Sequence, residues 1–119
     1  MTYCVAIKIE DGLVFASDSR TNAGLDNVST YSKMFTFNVG DRAFVILTSG
    51  NLATSQAVYH RIEKDLSSSE VSRSLNTCED LDDVAAYVGE LNVEYQILTD
   101  TQHSTLPHKQ QHHLNLHRY

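Results

Sequence analysis

The sequence predicts an α+β fold that starts with antiparallel hairpins and continues with two helices. Apolar side chains alternate over residues 3–9, in a run rich in β-branched residues that is typical of a half-buried strand. Asp11-Gly12 follows as a tight turn, because glycine tolerates the positive φ that a hairpin turn requires, and residues 13–16 run back as a second strand. Further along, two stretches repeat their apolar residues at helical spacing.

A second hairpin and the two helix starts can be placed from local signals. The runs 35–38 and 43–48 flank a turn that contains Gly40 and Asp41, and the second run is nearly all apolar, as expected for a strand covered on both faces. One helix is expected to begin at Asn51 or Leu52, where Ser49 or Asn51 can cap it. The other is expected to begin at Asp80 or Leu81, with acidic residues in its first turn.

The composition limits the class of protein. A chain of 119 residues is a single domain at most, and its net charge of −6 argues against nucleic acid as a main partner. No apolar run has the length of a membrane span, and the N-terminus lacks a basic and apolar signal region. Two cysteines do not make a disulfide framework. We therefore expect a cytoplasmic protein without a membrane or nucleic-acid partner.

Thr2 is the first candidate for chemistry, because it directly follows the initiator Met. Methionine aminopeptidases generally remove Met before a small residue, which would make Thr2 the mature N-terminus. Its α-amine, with a reference pKa of about 7.7–8.0, can then take the proton of its own hydroxyl. Lowering the pKa of that hydroxyl needs nearby positive charge held by a carboxylate. Asp18, which the first hairpin returns to the chain start, and Lys33 are the candidates for a Thr–Lys–Asp site.

Each of these residues also has an ordinary structural interpretation. A threonine at position two is usually only a small second residue, an aspartate after a strand is usually part of a turn or a surface ion pair, and a lone lysine is usually solvated. A Gly-Asn pair is most often a turn or a helix entry. The functional interpretation depends on the whole set occurring in this order.

The set as a whole resembles a known family. Thr2, the Asp11-Gly12 turn, Ser17-Asp18-Ser19-Arg20, Lys33 and Ser49-Gly50-Asn51 resemble the N-terminal half of proteasome-type β subunits, which are N-terminal-nucleophile hydrolases. These stretches of sequence look closest to the bacterial branch called Anbu, and the resemblance covers roughly residues 2–98. The resemblance implies that residues 1–98 form the N-terminal half of a four-layer αββα sandwich with antiparallel sheets.

The resemblance also implies roles for individual residues. Thr2 would be the nucleophile, Asp18 and Lys33 the charge pair, and the Gly50 amide an oxyanion-hole donor. A helix start beside Gly50 would add free amides and positive dipole where an oxyanion develops, and a glycine leaves room for the carbonyl. The alternative for Gly50 is a simple helix entry.

A substrate-binding role follows for the loop of residues 21–27. In the family, residues just after the position of Arg20 pair with the substrate backbone as an added strand, and Thr21 and Ala23 would take that role here. From the sequence alone, an ordinary surface loop is an equally good interpretation of this small and polar stretch.

By resemblance, the predicted function is that of a threonine-type endopeptidase that needs no metal or other cofactor. Its substrates would be peptides or unfolded proteins, and its subunits would form a homo-oligomeric ring or open spiral. The family's sandwich needs about twice this length of chain, and we expect the sequence to stop before its second half. The alternative prediction is therefore a non-catalytic truncated fragment or an assembly-only subunit.

Residues 99–119 differ in character from the rest. They hold five of the six histidines and the only proline, and their composition favours neither a strand nor an amphipathic helix. We expect a non-homologous and disordered His-rich tail. Weak binding of Zn or Ni by His108, His112 and His113 is conceivable, but no carboxylate or cysteine joins them, so no dedicated metal site is expected.

Overall fold

Over the described residues, the chain forms three antiparallel hairpins followed by two helices, which confirms the predicted α+β class. The computed structural model describes residues 1–22 and 28–105. In chain order the elements are β1 (Cys4–Ile9), β2 (Gly12–Ser17), β3 (Arg20–Asn22), β4 (Val28–Thr30), β5 (Met34–Val39), β6 (Arg42–Leu47), α1 (Leu52–Ser67) and α2 (Leu81–Thr105). Strand β1 pairs with β2, β3 with β4, and β5 with β6, all antiparallel.

The register of the first hairpin decides which side chains approach the chain start. Cys4 lies opposite Ser17 and Ile9 opposite Gly12, with no bulge between these pairs. The turn therefore consists of Glu10 and Asp11, one residue earlier than the predicted Asp11-Gly12 turn, and Gly12 opens β2. In the third hairpin the turn is Gly40-Asp41 as predicted, and Gly40 has a φ of 63°, in the left-handed region that glycine favours.

Both helices begin where the sequence predicts. The Asn51 side chain caps α1, because its Oδ1 accepts hydrogen bonds from the amides of Ala53 at 2.9 Å and Thr54 at 3.4 Å. Helix α2 begins at Leu81 and continues to Thr105. The prediction of a non-helical, disordered tail from residue 99 onward is therefore wrong for residues 99–105. The remainder of that predicted tail, 106–119, lies outside the described residues.

Helices α1 and α2 pack against β5 and β6 to form the core. Ile62 on α1 and Leu75 in the connection between the helices are almost completely buried. The other buried apolar residues are Phe37, Val39, Val58, Cys78, Val84, Tyr87 and Leu91. Of the apolar residues at helical spacing on α2, Val84 and Leu91 are buried and Val88 and Tyr95 are partly buried, but Leu81 in the first turn is 78% exposed.

Polar side chains tie these elements together at two points. Asp65 on α1 is buried, accepts a hydrogen bond from Tyr87 Oη of α2 at 2.6 Å, and pairs with Arg61 Nε at 3.0 Å. Burial and the hydrogen bond to Asp65 raise the pKa of Tyr87, so this phenol remains a neutral donor. At the start of β6, Arg42 donates to the carbonyl of Cys78 at 2.6 Å. These contacts thus connect α1 to α2, and they connect the segment that precedes α2 to the third hairpin.

The first hairpin, by contrast, keeps apolar side chains exposed. Ile7 and Val14 form a cross-strand pair and are 52% and 48% exposed, respectively. Leu13 on the other face is 61% exposed. Within the part of the chain that the structure describes, this hairpin lacks a covering layer on these side chains.

Candidate active site

The Lys33 side chain lies at the centre of the candidate site. It is 2% exposed, and its ammonium nitrogen Nζ donates hydrogen bonds to Asp18 Oδ2 at 2.9 Å, to the Arg20 carbonyl at 2.9 Å and to Thr2 Oγ1 at 3.3 Å. A lysine ammonium has three donors, and each of them has an acceptor here. The structure therefore brings Thr2, Asp18 and Lys33 together around one buried positive charge.

The register of the first hairpin places Asp18 between the chain start and Lys33. One residue beyond the Cys4–Ser17 pair, the Asp18 amide donates to the Tyr3 carbonyl at 3.0 Å. In return, the Tyr3 amide donates to Asp18 Oδ1 at 2.9 Å. One carboxylate oxygen thus fixes the backbone beside Thr2, and the other binds the ammonium of Lys33.

The backbone of Lys33 is held at the junction between the second and third hairpins. Beyond the β3–β4 ladder, the Tyr31 amide donates to the Ser19 carbonyl at 2.9 Å. Beyond the β5–β6 ladder, the Thr48 amide donates to the Lys33 carbonyl at 2.9 Å, and Thr48 Oγ1 approaches the same oxygen at 3.3 Å. All three hairpins therefore contribute to the position of Lys33.

Gly50 lies two residues after Thr48, so its amide can be at most about 7 Å further along the backbone. Its φ of 90° is in the left-handed region, where a residue with a side chain would be strained. Asn51 caps the amides of Ala53 and Thr54, whereas none of the hydrogen bonds found among residues 1–22 and 28–105 uses the Gly50 amide. Gly50 is also exposed.

Two cavities flank this segment. A polar cavity of about 400 Å³ is lined by Gly50 and Thr54 and by Asn92 and Gln96 of α2. A more apolar cavity of about 450 Å³ lies between the third hairpin and the helices, and Thr48 and Ser49 form part of its lining. The chain from Thr48 to Gly50 therefore has open space beside it.

The charge of Asp18 is stabilised by its contacts. Its pKa is lowered from the ordinary value of 3.8, first by the hydrogen bond from Lys33 and next by the hydrogen bond from the Tyr3 amide. Both donors favour the ionised carboxylate over the neutral acid. Asp18 is therefore an anion at neutral pH, and it faces the ammonium of Lys33 at contact distance.

The two predicted substrate-binding residues have different outcomes. Thr21 lies in β3, where its backbone pairs with Ser29 of β4. Ala23 lies outside the described residues. Their role in binding a substrate strand remains a prediction.

Sequence reasoning missed two contacts of Lys33. The Arg20 carbonyl accepts from its ammonium and the Thr48 amide donates to its carbonyl. Arg20 belongs to the motif quoted for the family resemblance, but its residue type does not show that its backbone oxygen is the group that binds. Thr48 ends an apolar run and carries no signal of its own.

The described part of the chain contains neither a cluster of metal ligands nor a membrane-spanning helix. Over residues 1–22 and 28–105, no three His, Cys, Asp or Glu side chains cluster closely enough to hold a metal ion. His108, His112 and His113 lie outside the described residues. No helix within those same described ranges combines the length and the apolar character needed to cross a membrane.

The fold of the described part matches a segment of the proteasome-type N-terminal-nucleophile hydrolase fold, as comparison with solved structures shows. Several of the matching structures are Anbu proteins. In the helical assembly of the Anbu complex from Pseudomonas aeruginosa, the similar chain is 42% identical with a TM-score of 0.72, and the match covers 83% of our chain and 40% of that chain. Anbu from Yersinia bercovieri, described as an ancestral beta-subunit, is 36% identical with a TM-score of 0.73, over 85% of our chain and 42% of that one.

A third match supports the same relationship. Anbu from Hyphomicrobium sp. strain MC1 is 39% identical with a TM-score of 0.71, over 82% of our chain and 43% of that chain. No protein-family model matches the sequence, and a search of curated proteins finds no match. The chain is thus a relative of the Anbu proteins, which confirms the resemblance seen in its sequence. It spans between 40% and 43% of the length of these relatives.

Replacing Asp18 with Asn should remove a pH-dependent contribution to stability. Because the pKa of Asp18 is lowered in the folded chain, its ionised form stabilises the fold above the ordinary value of 3.8, and this contribution is lost as the pH falls through the folded-state pKa. The difference in unfolding free energy between the wild type and Asp18→Asn should therefore be largest near neutral pH and shrink below about pH 4.

Urea unfolding at a series of pH values measures this difference. Asp11→Asn is the matched control, because Asp11 is exposed in the β1–β2 turn and carries the same charge. Parallel pH curves for the wild type and Asp18→Asn would contradict the assigned interaction.

Proposed function

We propose that this chain carries the site of a threonine-type peptidase whose nucleophile is the hydroxyl of Thr2. The observation that carries the proposal is the 3.3 Å hydrogen bond from Lys33 Nζ to Thr2 Oγ1, in which the donor is buried and held by Asp18. A positive charge beside a hydroxyl lowers the pKa of that hydroxyl by stabilising the alkoxide. The relationship to Anbu proteins supports the same reaction class.

The exposed chain start is consistent with processing to a free threonine. The Met1 side chain is fully exposed, whereas the Thr2 side chain is partly buried and contacts Lys33. Removal of Met1 by an aminopeptidase would convert the backbone nitrogen of Thr2 into an amine with a pKa of about 7.7–8.0. Part of that amine is unprotonated near neutral pH and can act as the base.

The reaction then proceeds by acyl transfer. Thr2 Oγ1 attacks the scissile carbonyl carbon while its proton passes to the α-amine, and the oxyanion that forms accepts a hydrogen bond from the Gly50 amide. The C–N bond breaks, and the leaving amine takes the proton from the α-ammonium. Water attacks the resulting ester, the same amine again accepts a proton, and Thr2 is released together with the carboxylic acid. Lys33 remains charged throughout and Asp18 holds it in place.

The substrates of such a site are peptides or unfolded segments of protein, which can place an extended backbone beside β3. We further propose that the chain self-associates. The P. aeruginosa relative forms a helical assembly, and here the exposed Ile7–Val14 pair offers an apolar surface to a second copy.

That exposed pair also favours a second candidate function, in which the chain is an assembly-only subunit without catalysis. The two functions differ in what they require of Thr2. A peptidase needs its hydroxyl and free amine, whereas an assembly-only subunit needs neither.

Intact mass before and after incubation with a peptide epoxyketone tests the peptidase function. This reagent reacts with both the hydroxyl and the amine of an N-terminal threonine, so we expect loss of Met1 and one adduct per chain on Thr2. Thr2→Ala should give no adduct, and Lys33→Met should react at least about 100-fold more slowly, because it removes the charge beside the hydroxyl.

Thr36→Ala is the matched control, since Thr36 is exposed on β5 and forms none of the site's hydrogen bonds. It should react like the wild type. A processed, folded chain that gives no adduct would overturn the peptidase function and leave the assembly-only function.

Sedimentation velocity tests self-association independently of chemistry. Ile7→Lys should shift the chain toward the monomer, because it places a charge in the apolar surface that would be buried. Thr36→Lys adds the same charge to an exposed position on another hairpin and should leave the distribution unchanged. Self-association would be contradicted by a wild-type chain that is monomeric at all concentrations. An unchanged oligomer in Ile7→Lys would show that the Ile7–Val14 pair is not the surface that associates.

A further inference from the structure

The Ser32 side chain forms two hydrogen bonds with the backbone of Met34, on the other side of Lys33. We call this local turn the Ser32 arch. Its hydroxyl donates to the Met34 carbonyl at 2.7 Å and accepts from the Met34 amide at 3.3 Å. Lys33 lies between Ser32 and Met34 in the chain, so these two hydrogen bonds span it. The Ser32 side chain itself is exposed, and it forms no hydrogen bond with Thr2, Asp18 or the Lys33 ammonium.

The geometry of the β5–β6 ladder leaves the amide and the carbonyl of Met34 without a partner on β6. In an antiparallel pair, successive residues direct their amide and carbonyl groups to opposite edges of the strand. The Lys33 carbonyl accepts from the Thr48 amide, so both backbone groups of Met34 point away from β6. The Ser32 hydroxyl binds both of them, as serine side chains do in local turns.

Two restraints therefore act on the backbone of Lys33. On one edge Thr48 binds its carbonyl, and on the other edge the Ser32 hydroxyl binds the amide of the peptide unit that follows Lys33 and the carbonyl of the next unit. Nζ lies at the far end of a long side chain, so a small rotation of the backbone moves this atom by a larger distance than it moves the Cα atom. The three acceptors around Nζ tolerate little movement, because hydrogen bonds weaken beyond their normal length.

We propose that Ser32 is a positioning residue for Lys33, which acts through the backbone of Met34 to hold the ammonium between Asp18 and Thr2. The part of this inference that concerns the reactivity of Thr2 rests on the proposed peptidase function. The part that concerns Lys33 and Asp18 does not depend on any reaction.

The titration of Asp18 reports on the position of Lys33 without requiring catalysis. The Lys33 hydrogen bond is the largest cause that lowers the pKa of Asp18, so a displaced ammonium must let that pKa rise toward 3.8. The carboxyl group is followed by NMR in the full chain with Ser32 replaced by Ala, Cys or Thr. We expect the pKa to rise most in Ser32→Ala, less in Ser32→Cys, and to match the wild type in Ser32→Thr, which retains the hydroxyl.

Ser68→Ala is the matched control. Ser68 Oγ accepts from the Glu70 amide at 3.3 Å, which is the same local contact with the residue two positions on, but it lies at the end of α1. This variant should leave the Asp18 pKa unchanged. An Asp18 pKa in Ser32→Ala equal to that of the wild type would overturn the inference, and the Cys and Thr variants keep the test decisive if Ser32→Ala does not fold.

The rate of epoxyketone addition to Thr2 gives the second readout. Ser32→Ala should slow it about tenfold, less than the roughly 100-fold that a misplacement of about 1 Å can cause, while Ser32→Thr restores it. If the wild type gives no adduct, the proposed function fails, and the Asp18 titration still decides whether Ser32 positions Lys33. If the wild type reacts and Ser32→Ala reacts equally fast with an unchanged Asp18 pKa, the inference alone fails.

Discussion

The burial of one ammonium group is the constraint on which the site depends. A lysine side chain that is 2% exposed needs acceptors for its charge, since an unpaired buried charge is strongly destabilising. The acceptors come from separate parts of the chain: the carboxylate of Asp18, the carbonyl of Arg20 and the hydroxyl of Thr2. The hairpins must therefore dock together for Lys33 to be buried without leaving its donors unsatisfied.

The same constraint links stability to the proposed chemistry. A buried ion pair adds little to stability once desolvation is counted, so Lys33 and Asp18 are weak candidates for a purely structural role. Asp18 remains 33% exposed, which limits the desolvation that its charge must bear. The proposed peptidase function would give this geometry a purpose, because an ammonium fixed beside the Thr2 hydroxyl favours the ionised form of that hydroxyl. The Ser32 arch and the contact from Thr48 act on the backbone that carries this charge.

Much of this site could be predicted because hairpin register follows from local pattern. The alternation over residues 3–9 and the short turn return Asp18 to the chain start, and Lys33 and Gly50 belong to the stretches that resemble the family. The contacts of the Arg20 carbonyl and the Met34 backbone could not be predicted, because any residue type presents the same backbone groups. The exposure of the apolar side chains on the first hairpin could not be predicted either, because it depends on packing against other elements and the strand pattern does not specify that packing.

The two errors have local physical reasons. The first turn lies one residue earlier than predicted because the strand pairing extends to Ile9 and Gly12. Helix α2 continues to Thr105 because extending an existing helix costs far less than nucleating one, so moderate helix formers such as Thr99 and Thr101 are accommodated. Their hydroxyls also donate to carbonyls four residues back, at 2.8 Å and 2.9 Å. Neither the ease of extending a helix nor these hydrogen bonds can be predicted from composition alone.

The most direct test of the central claim is the solvent exchange of the lysine ammonium protons, measured by nitrogen-detected NMR on the full chain. We predict that the Lys33 ammonium is observable and exchanges much more slowly than those of the exposed Lys8 and Lys64. We also expect Asp18→Asn to accelerate exchange at Lys33 alone. If Lys33 exchanges as rapidly as Lys8 and Lys64, its ammonium is not held among Thr2, Asp18 and Arg20, and the site described here does not form.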